Sequence, residues 1–166
     1  MHENVILVDA LDNAIGIMEK MEAHKKGSLH RAFSVFIFND KGEILLQQRA
    51  LSKYHSAGLW TNTCCSHPRP NENTLDAANR RLMEEMGIKC ELRHKSQFIY
   101  KTSFDNGLIE HEFDHVFFGN SNKNPKINKE EVESYVWMDE KKIISDIKNN
   151  PNKYTSWFKI AMEKLF

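Results

Sequence analysis

Residues 72–88 read Glu72-Asn73-Thr74-Leu75-Asp76-Ala77-Ala78-Asn79-Arg80-Arg81-Leu82-Met83-Glu84-Glu85-Met86-Gly87-Ile88. Leu75, Ala78, Leu82 and Met86 recur at three- and four-residue spacing, which predicts a helix from Thr74 to Met86. Gly87 follows where a helix needs a left-handed residue to stop. The opposite side of the helix carries Arg81, Glu84 and Glu85, with Arg81 and Glu85 one turn apart. Upstream, Val5 to Val8 reads as a short strand followed by a loop with Asp12 and Asn13. Phe33 to Phe38 reads as a nearly continuous apolar strand, turned by Asn39-Asp40-Lys41-Gly42 into Ile44-Leu45-Leu46 as a buried hairpin. Downstream, Gln97 to Thr102, Leu108 to Phe118 and Ser134 to Met138 read as strands. Helical patterning follows from Glu140 and again after Pro151. The order is mixed strand and helix closing in helix, an α+β arrangement.

The chain has 166 residues, the size of one ordinary domain with a core of its own, and is expected to form a single domain over residues 1–166. Lys plus Arg and Asp plus Glu number 23 each, so no global field favours nucleic acid or an anionic membrane, and any anion site must be local. No apolar run approaches the roughly 20 residues that span a bilayer, and Val5 to Val8 is too short for a secretory core. A cytoplasmic home is expected. The three cysteines include the neighbours Cys64 and Cys65, poorly placed to bridge each other, which suits a reduced compartment.

From Ser66 to Ile88 the chain resembles the Nudix box, G-x5-E-x7-R-E-U-x-E-E-x-G-U with U aliphatic, through Glu72, Arg80, Leu82, Glu84, Glu85, Gly87 and Ile88. It departs at Ser66, which replaces the first Gly, and at Arg81, which replaces the first Glu of the R-E pair. Just before this helix, Trp60-Thr61-Asn62-Thr63-Cys64-Cys65-Ser66-His67-Pro68 resembles the W-T-N-x-x-C-x-H-P signature of type I isopentenyl-diphosphate isomerases. The resemblance covers nearly the whole chain. It implies a Nudix-type mixed β-sheet sandwiched between helices, with an N-terminal strand/loop extension and C-terminal helices.

The same resemblance implies a site. His24 and His30, in Met21-Glu22-Ala23-His24 and Leu29-His30-Arg31-Ala32-Phe33, match two metal histidines. His67 and the carboxylates of Glu110 and Glu112 complete the set. On a strand Glu110 and Glu112 leave the same face while His111 points the other way. Three imidazoles and two carboxylates suit Zn²⁺ or Mn²⁺. Glu85, with the Cys65 backbone, is expected to hold a Mg²⁺ that rides on the substrate diphosphate. Cys65 and Glu112 match the acid/base pair, Tyr100 a proton relay beside that glutamate, and Trp157 an active-site tryptophan whose ring faces a carbocation. Lys20, Arg49, Lys53 and Arg81 are expected to neutralise the diphosphate.

The implied activity is conversion of isopentenyl to dimethylallyl diphosphate, on a small-molecule substrate, with no nucleic acid or membrane partner, by a monomer or weak homodimer. Two rivals stand beside it: a Nudix-type diphosphate hydrolase, which has no use for Cys65 or Trp157, and a zinc-stabilised binding domain built on Cys65, His67, His24 and His30, which leaves Glu110 and Glu112 without a role. Cys64 and Cys90 read as packing residues, and His2, His55, His94, His111 and His115 as structural.

Overall fold

A computed structural model describes residues 3–166; His2 lies outside them. Strand β1 (Asn4–Val8) pairs antiparallel with β2 (Ala14–Glu19). The turn between them is held by Asp9, whose side chain accepts from the amides of Leu11 and Asn13 at 2.9 and 3.0 Å. Helix α1 (Lys20–Lys26) follows, capped by Glu19 at its start and by Gly27, at φ 68°, at its end. The segment carrying His24 and His30 is thus a helix followed by strand β3 (His30–Phe38).

β3 is the centre of the sheet, parallel to β8 (Ile109–Asn120) and antiparallel to the short strand β6 (Cys64–Ser66). The expected hairpin between Phe33–Phe38 and Ile44–Leu46 closes at one pair, Phe38 with Ile44, and then opens. Its second arm, β4 (Glu43–Arg49), runs instead along β9 (Val132–Asp139) and briefly along β5 (Trp60–Thr61). The gap is filled by Thr63, whose hydroxyl accepts from the Ile37 amide at 3.0 Å and donates to the Leu45 carbonyl at 2.6 Å. Two buried backbone groups that have lost their ladder partners are satisfied by one side chain.

The long hairpin of β7 (Leu92–Ser103) and β8 completes the sheet, which among the described residues holds nine strands. Both faces are covered, which explains why β3 is apolar without alternation. Phe33, Val35 and Ile37 pack with Leu82 and Met86 of helix α2 (Thr74–Met86) on one side. Phe36 packs on the other with Ile143 of α3 (Glu140–Asn149) and with Phe158 and Met162 of α4 (Ser156–Leu165). This is the expected α+β sandwich with closing helices. No helix among the described residues is long and apolar enough to cross a membrane.

Two details of α2 differ from expectation. Leu75 is 38% exposed, and the buried stripe runs through Ala77, Ala78, Leu82 and Met86. Glu85, assigned to the polar side, is 4% exposed and belongs to the buried face. The helix ends at Gly87, at φ 64°, where an added Cβ would lie 2.9 Å from Lys126 Cβ and 3.0 Å from its carbonyl oxygen. Lys126 cannot retreat freely, because its amide donates to the Met86 carbonyl at 2.8 Å. Gly87→Ala is therefore expected to cost about 2 kcal/mol of stability, read as a lower urea midpoint at unchanged slope.

Candidate active site

On β8, Glu110, Glu112 and Asp114 alternate to one face, and all three are buried. The parallel register sets His30 opposite Glu112. His24 Nε2, from α1, lies 2.9 Å from Glu110 Oε1. His30 Nε2 lies 3.5 Å from the same oxygen and 3.3 Å from Glu112 Oε2. His67, just past β6, brings Nε2 to 2.7 Å from Glu112 Oε2. The Nδ1 atoms of His24 and His30 face the carbonyls of Lys20 and Ser28 at 2.6 and 2.9 Å. A carbonyl only accepts, so those nitrogens carry the protons and the Nε2 lone pairs point inward.

One atom from each of His24, His30, His67 and Glu110 lies within 4.8 Å of the others, a group that could hold a metal ion. His24 Nε2, His30 Nε2 and Glu110 Oε1 are buried with no hydrogen-bond partner. Buried polar atoms converging without partners fit a bound cation. The charge balance agrees. Burial lowers the basicity of His30, but Glu110 and Glu112 push its pKa up to about 10, a demand for positive charge that a divalent cation can meet as well as a proton. Burial likewise opposes charge on Glu110, but the neighbouring imidazoles of His24, His30 and His55 hold its carboxyl well below the usual carboxylate range.

Around Cys65 lies a second buried network. Its thiol donates to Asn62 Oδ1 at 2.9 Å. It also faces the Ser34 hydroxyl at 3.7 Å, and that hydroxyl donates to Asp114 Oδ2 at 2.7 Å. Burial and the charge of Asp114 push the Cys65 thiol up to about 12. Burial and Glu112 raise the Asp114 carboxyl well above its usual value. The neighbouring Cys64 points the other way, its thiol donating to Glu85 Oε2 at 3.2 Å. Tyr100, paired with Glu112 across β7 and β8, donates its hydroxyl to Glu112 Oε1. Trp157, from α4, is 5% exposed and lies under the Arg49 guanidinium at 5.1 Å.

The four expected phosphate cations open onto one polar cavity of about 420 Å³, whose lining includes Lys20, Arg49, Lys53, His67 and Arg81. A smaller chamber of about 40 Å³ beside it is lined by Cys65, Tyr100, Glu110, Glu112 and Trp157, among others. Glu85 lies behind Arg81, accepting from Gln47 Nε2 at 3.2 Å.

His55 was expected to be structural, yet it lines the smaller chamber. Its Nε2 lies 3.0 Å from Glu110 Oε2, and its ring stacks on Phe104 at 4.5 Å and meets Trp157 edge-on at 5.4 Å. Ser34 and Asp114 also went unnoticed. The only available signal for Asp114 was parity, since it shares a face with Glu110 and Glu112. His111 points away, to the Gly27 carbonyl at 3.1 Å, and the pair of His94 and His115 lies outside the site, linked at 3.0 Å.

The fold and a histidine–carboxylate cluster that could hold a metal ion define a protein of Nudix type, and the NUDIX domain family matches residues 28–158. Crystal structures with the same fold include one from Deinococcus radiodurans, at TM-score 0.81 and 16% identity with 99% of each chain covered. Another is a MutT protein from Methanosarcina mazei, at TM-score 0.68 and 22% identity over 82% of this chain and 91% of that one. The isopentenyl-diphosphate Delta-isomerase of Serratia proteamaculans is 53% identical over 165 residues, covering 99% of this chain and 92% of its own. The isopentenyl-diphosphate Delta-isomerase 2 of Photorhabdus laumondii is 54% identical over 159 residues, covering 96% of this chain and 90% of its own. The chain therefore belongs to the isopentenyl-diphosphate Delta-isomerase family within the Nudix proteins.

Asn62 is the hub of the thiol network. Its amide donates to the carbonyls of Val35 and Cys64, both at 3.0 Å, while its oxygen accepts from Cys65 and Thr61. Truncation removes a hydrogen-bond partner from four groups at once, so Asn62→Ala is expected to cost about 3 kcal/mol, measured by chemical denaturation; a loss below about 0.5 kcal/mol would show the network to be dispensable.

Proposed function

We propose that the chain converts isopentenyl diphosphate to its dimethylallyl isomer within one domain spanning residues 1–166, with Cys65 and Glu112 as the acid/base pair. The observation that carries this reading is the small chamber that Cys65, Tyr100, Glu112 and Trp157 line together, at the inner end of a cavity lined with cations. Lys20, Arg49, Lys53 and Arg81 hold the diphosphate, because the reacting carbons offer no polar handle.

An alkene is a weak base, so the donor must be strongly acidic in place and the chamber dry, since water would trap the cation. One member of the pair adds a proton to the terminal carbon; the other removes one from the carbon across the cationic centre, leaving the substrate's composition unchanged. Asn62 aims the Cys65 thiol, and the Tyr100 hydroxyl anchors and relays protons at Glu112. The Trp157 ring offers its face to the developing positive charge, an attraction that reaches ~2 kcal/mol when desolvated.

His24, His30, His67, Glu110 and Glu112 would hold a Zn²⁺ or Mn²⁺, since the donor set mixes nitrogen and oxygen. Bound there, such an ion withdraws charge from the Glu112 carboxylate and strengthens it as an acid. Glu85 and the Cys65 backbone are the ligands assigned to a Mg²⁺ carried in by the diphosphate. The three free cysteines fit a reducing, cytoplasmic home, and the balanced charge fits a chain without a nucleic-acid or anionic-membrane partner; a monomer or weak homodimer is the assembly proposed with them.

Purified protein with these metals and isopentenyl diphosphate should take up solvent deuterium and form the dimethylallyl isomer. Release of phosphate or pyrophosphate without isomer would overturn the reading in favour of hydrolysis. Cys65→Ala and Glu112→Gln are each expected to lower kcat about 10³-fold while far-ultraviolet circular dichroism stays native. Retention of kcat within tenfold by either variant would remove that residue from the pair.

A further inference from the structure

Two cations of the larger cavity, Lys53 and Arg81, are already paired with carboxylates. Glu131, which also lines that cavity, bonds to Lys53 and has the same oxygen, Oε2, 3.4 Å from Arg81 Nη2. Arg81 is held further by Glu84 at 2.9 Å and Glu85 at 3.2 Å. In this corner Lys53 and Arg81 face the carboxylates of Glu131, Glu84 and Glu85, with Glu84 shared with Arg80 at 3.2 Å, so a diphosphate meets two cations whose charge is already matched.

Glu131 is fixed in place by its backbone. Its amide donates to the Asn128 carbonyl at 2.9 Å, and its carbonyl accepts from the Ala50 amide at 3.1 Å, one residue beyond β4. Burial disfavours its charge, but Lys53 and Arg81 hold its carboxyl below the usual range, so it is ionised at neutral pH.

We infer that Glu131 is a specificity-determining residue that makes this anion site selective for the metal complex of a diphosphate over the metal-free diphosphate. A bare diphosphate must take Lys53 and Arg81 from a carboxylate that stays beside it, and meets repulsion there. A diphosphate arriving with a divalent cation brings the charge that offsets Glu131. The carboxylate keeps both cations extended toward the cavity before the ligand arrives, and it penalises anions that come without a metal. The inference rests on the diphosphate reading above and adds a discrimination which that reading does not require.

The test is calorimetric binding of inorganic pyrophosphate to the metal-loaded enzyme, with excess Mg²⁺ and with Mg²⁺ left out. Wild-type protein should bind the magnesium complex well and metal-free pyrophosphate poorly. Glu131→Gln keeps the side chain's size and is expected to tighten binding of metal-free pyrophosphate about tenfold, while affinity for the magnesium complex moves less than about threefold. Glu84→Gln, which removes a charge from the same arginine without touching Lys53, should change either affinity less than about threefold. The inference is overturned if Glu131→Gln binds metal-free pyrophosphate no better than wild type. It is equally overturned if Glu84→Gln gains as much, or if Glu131→Gln loses only the magnesium complex, which would make Glu131 a metal ligand. Failure of wild-type protein to bind pyrophosphate in either form would instead bring down the diphosphate reading.

Discussion

The parallel pairing of β3 with β8 is the constraint on which the site depends. It sets His30 opposite Glu112 and Ala32 opposite Asp114, so a row of three carboxyl groups on β8 faces a strand that offers an imidazole and a hydroxyl. Parallel strands need both faces covered, and α2 on one side with α3 and α4 on the other supply the cover. Burial then sets the electrostatics. A row of carboxyl groups in a buried interior is tolerable only if each is matched, by histidines at Glu110, by Tyr100 and His67 at Glu112, and by the Ser34 hydroxyl at Asp114.

The sheet also divides the work between two kinds of environment. The larger cavity is lined mainly by charged side chains, and the smaller chamber adds Tyr100, Glu110, Glu112 and Trp157 to the Arg49, Cys65 and His67 that the two share. His55 ties the two together, since its ring touches Glu110, Trp157 and Tyr54 at once.

Much of this was legible because it depends on short-range pattern. Helix α2 followed from three- and four-residue spacing and from Gly87, and the shared face of Glu110 and Glu112 from the period of a strand. What escaped depends on distant partners. β2 shows no apolar alternation toward a core, since Ile15 and Ile17 are exposed at the sheet edge. α1 is seven residues held by its caps and by the burial of Ala23 and His24 rather than by an apolar stripe. The opening of the β3–β4 hairpin is set by Thr63, whose role no local pattern announces. His55 lies in a loop without periodicity, 55 positions before the glutamate it touches. The gathering of His24, His30 and His67 was visible only through family likeness.

The adjacent cysteines of β6 have a consequence for how this chain can evolve. Cys64 and Cys65 leave opposite faces of a three-residue strand, one reaching Glu85 of α2 behind Arg81 and the other the smaller chamber beside Asn62. A single inserted or deleted residue would exchange them, sending the wrong thiol to each side while leaving composition almost unchanged. Asn62 and Thr63, bonded into β3 and β4, pin the register from immediately upstream. Length variation should therefore be purged between Trp60 and His67 and tolerated at the exposed turn of residues 105–107, so indels across descendants of this sequence would map the strand without reference to any catalytic assay.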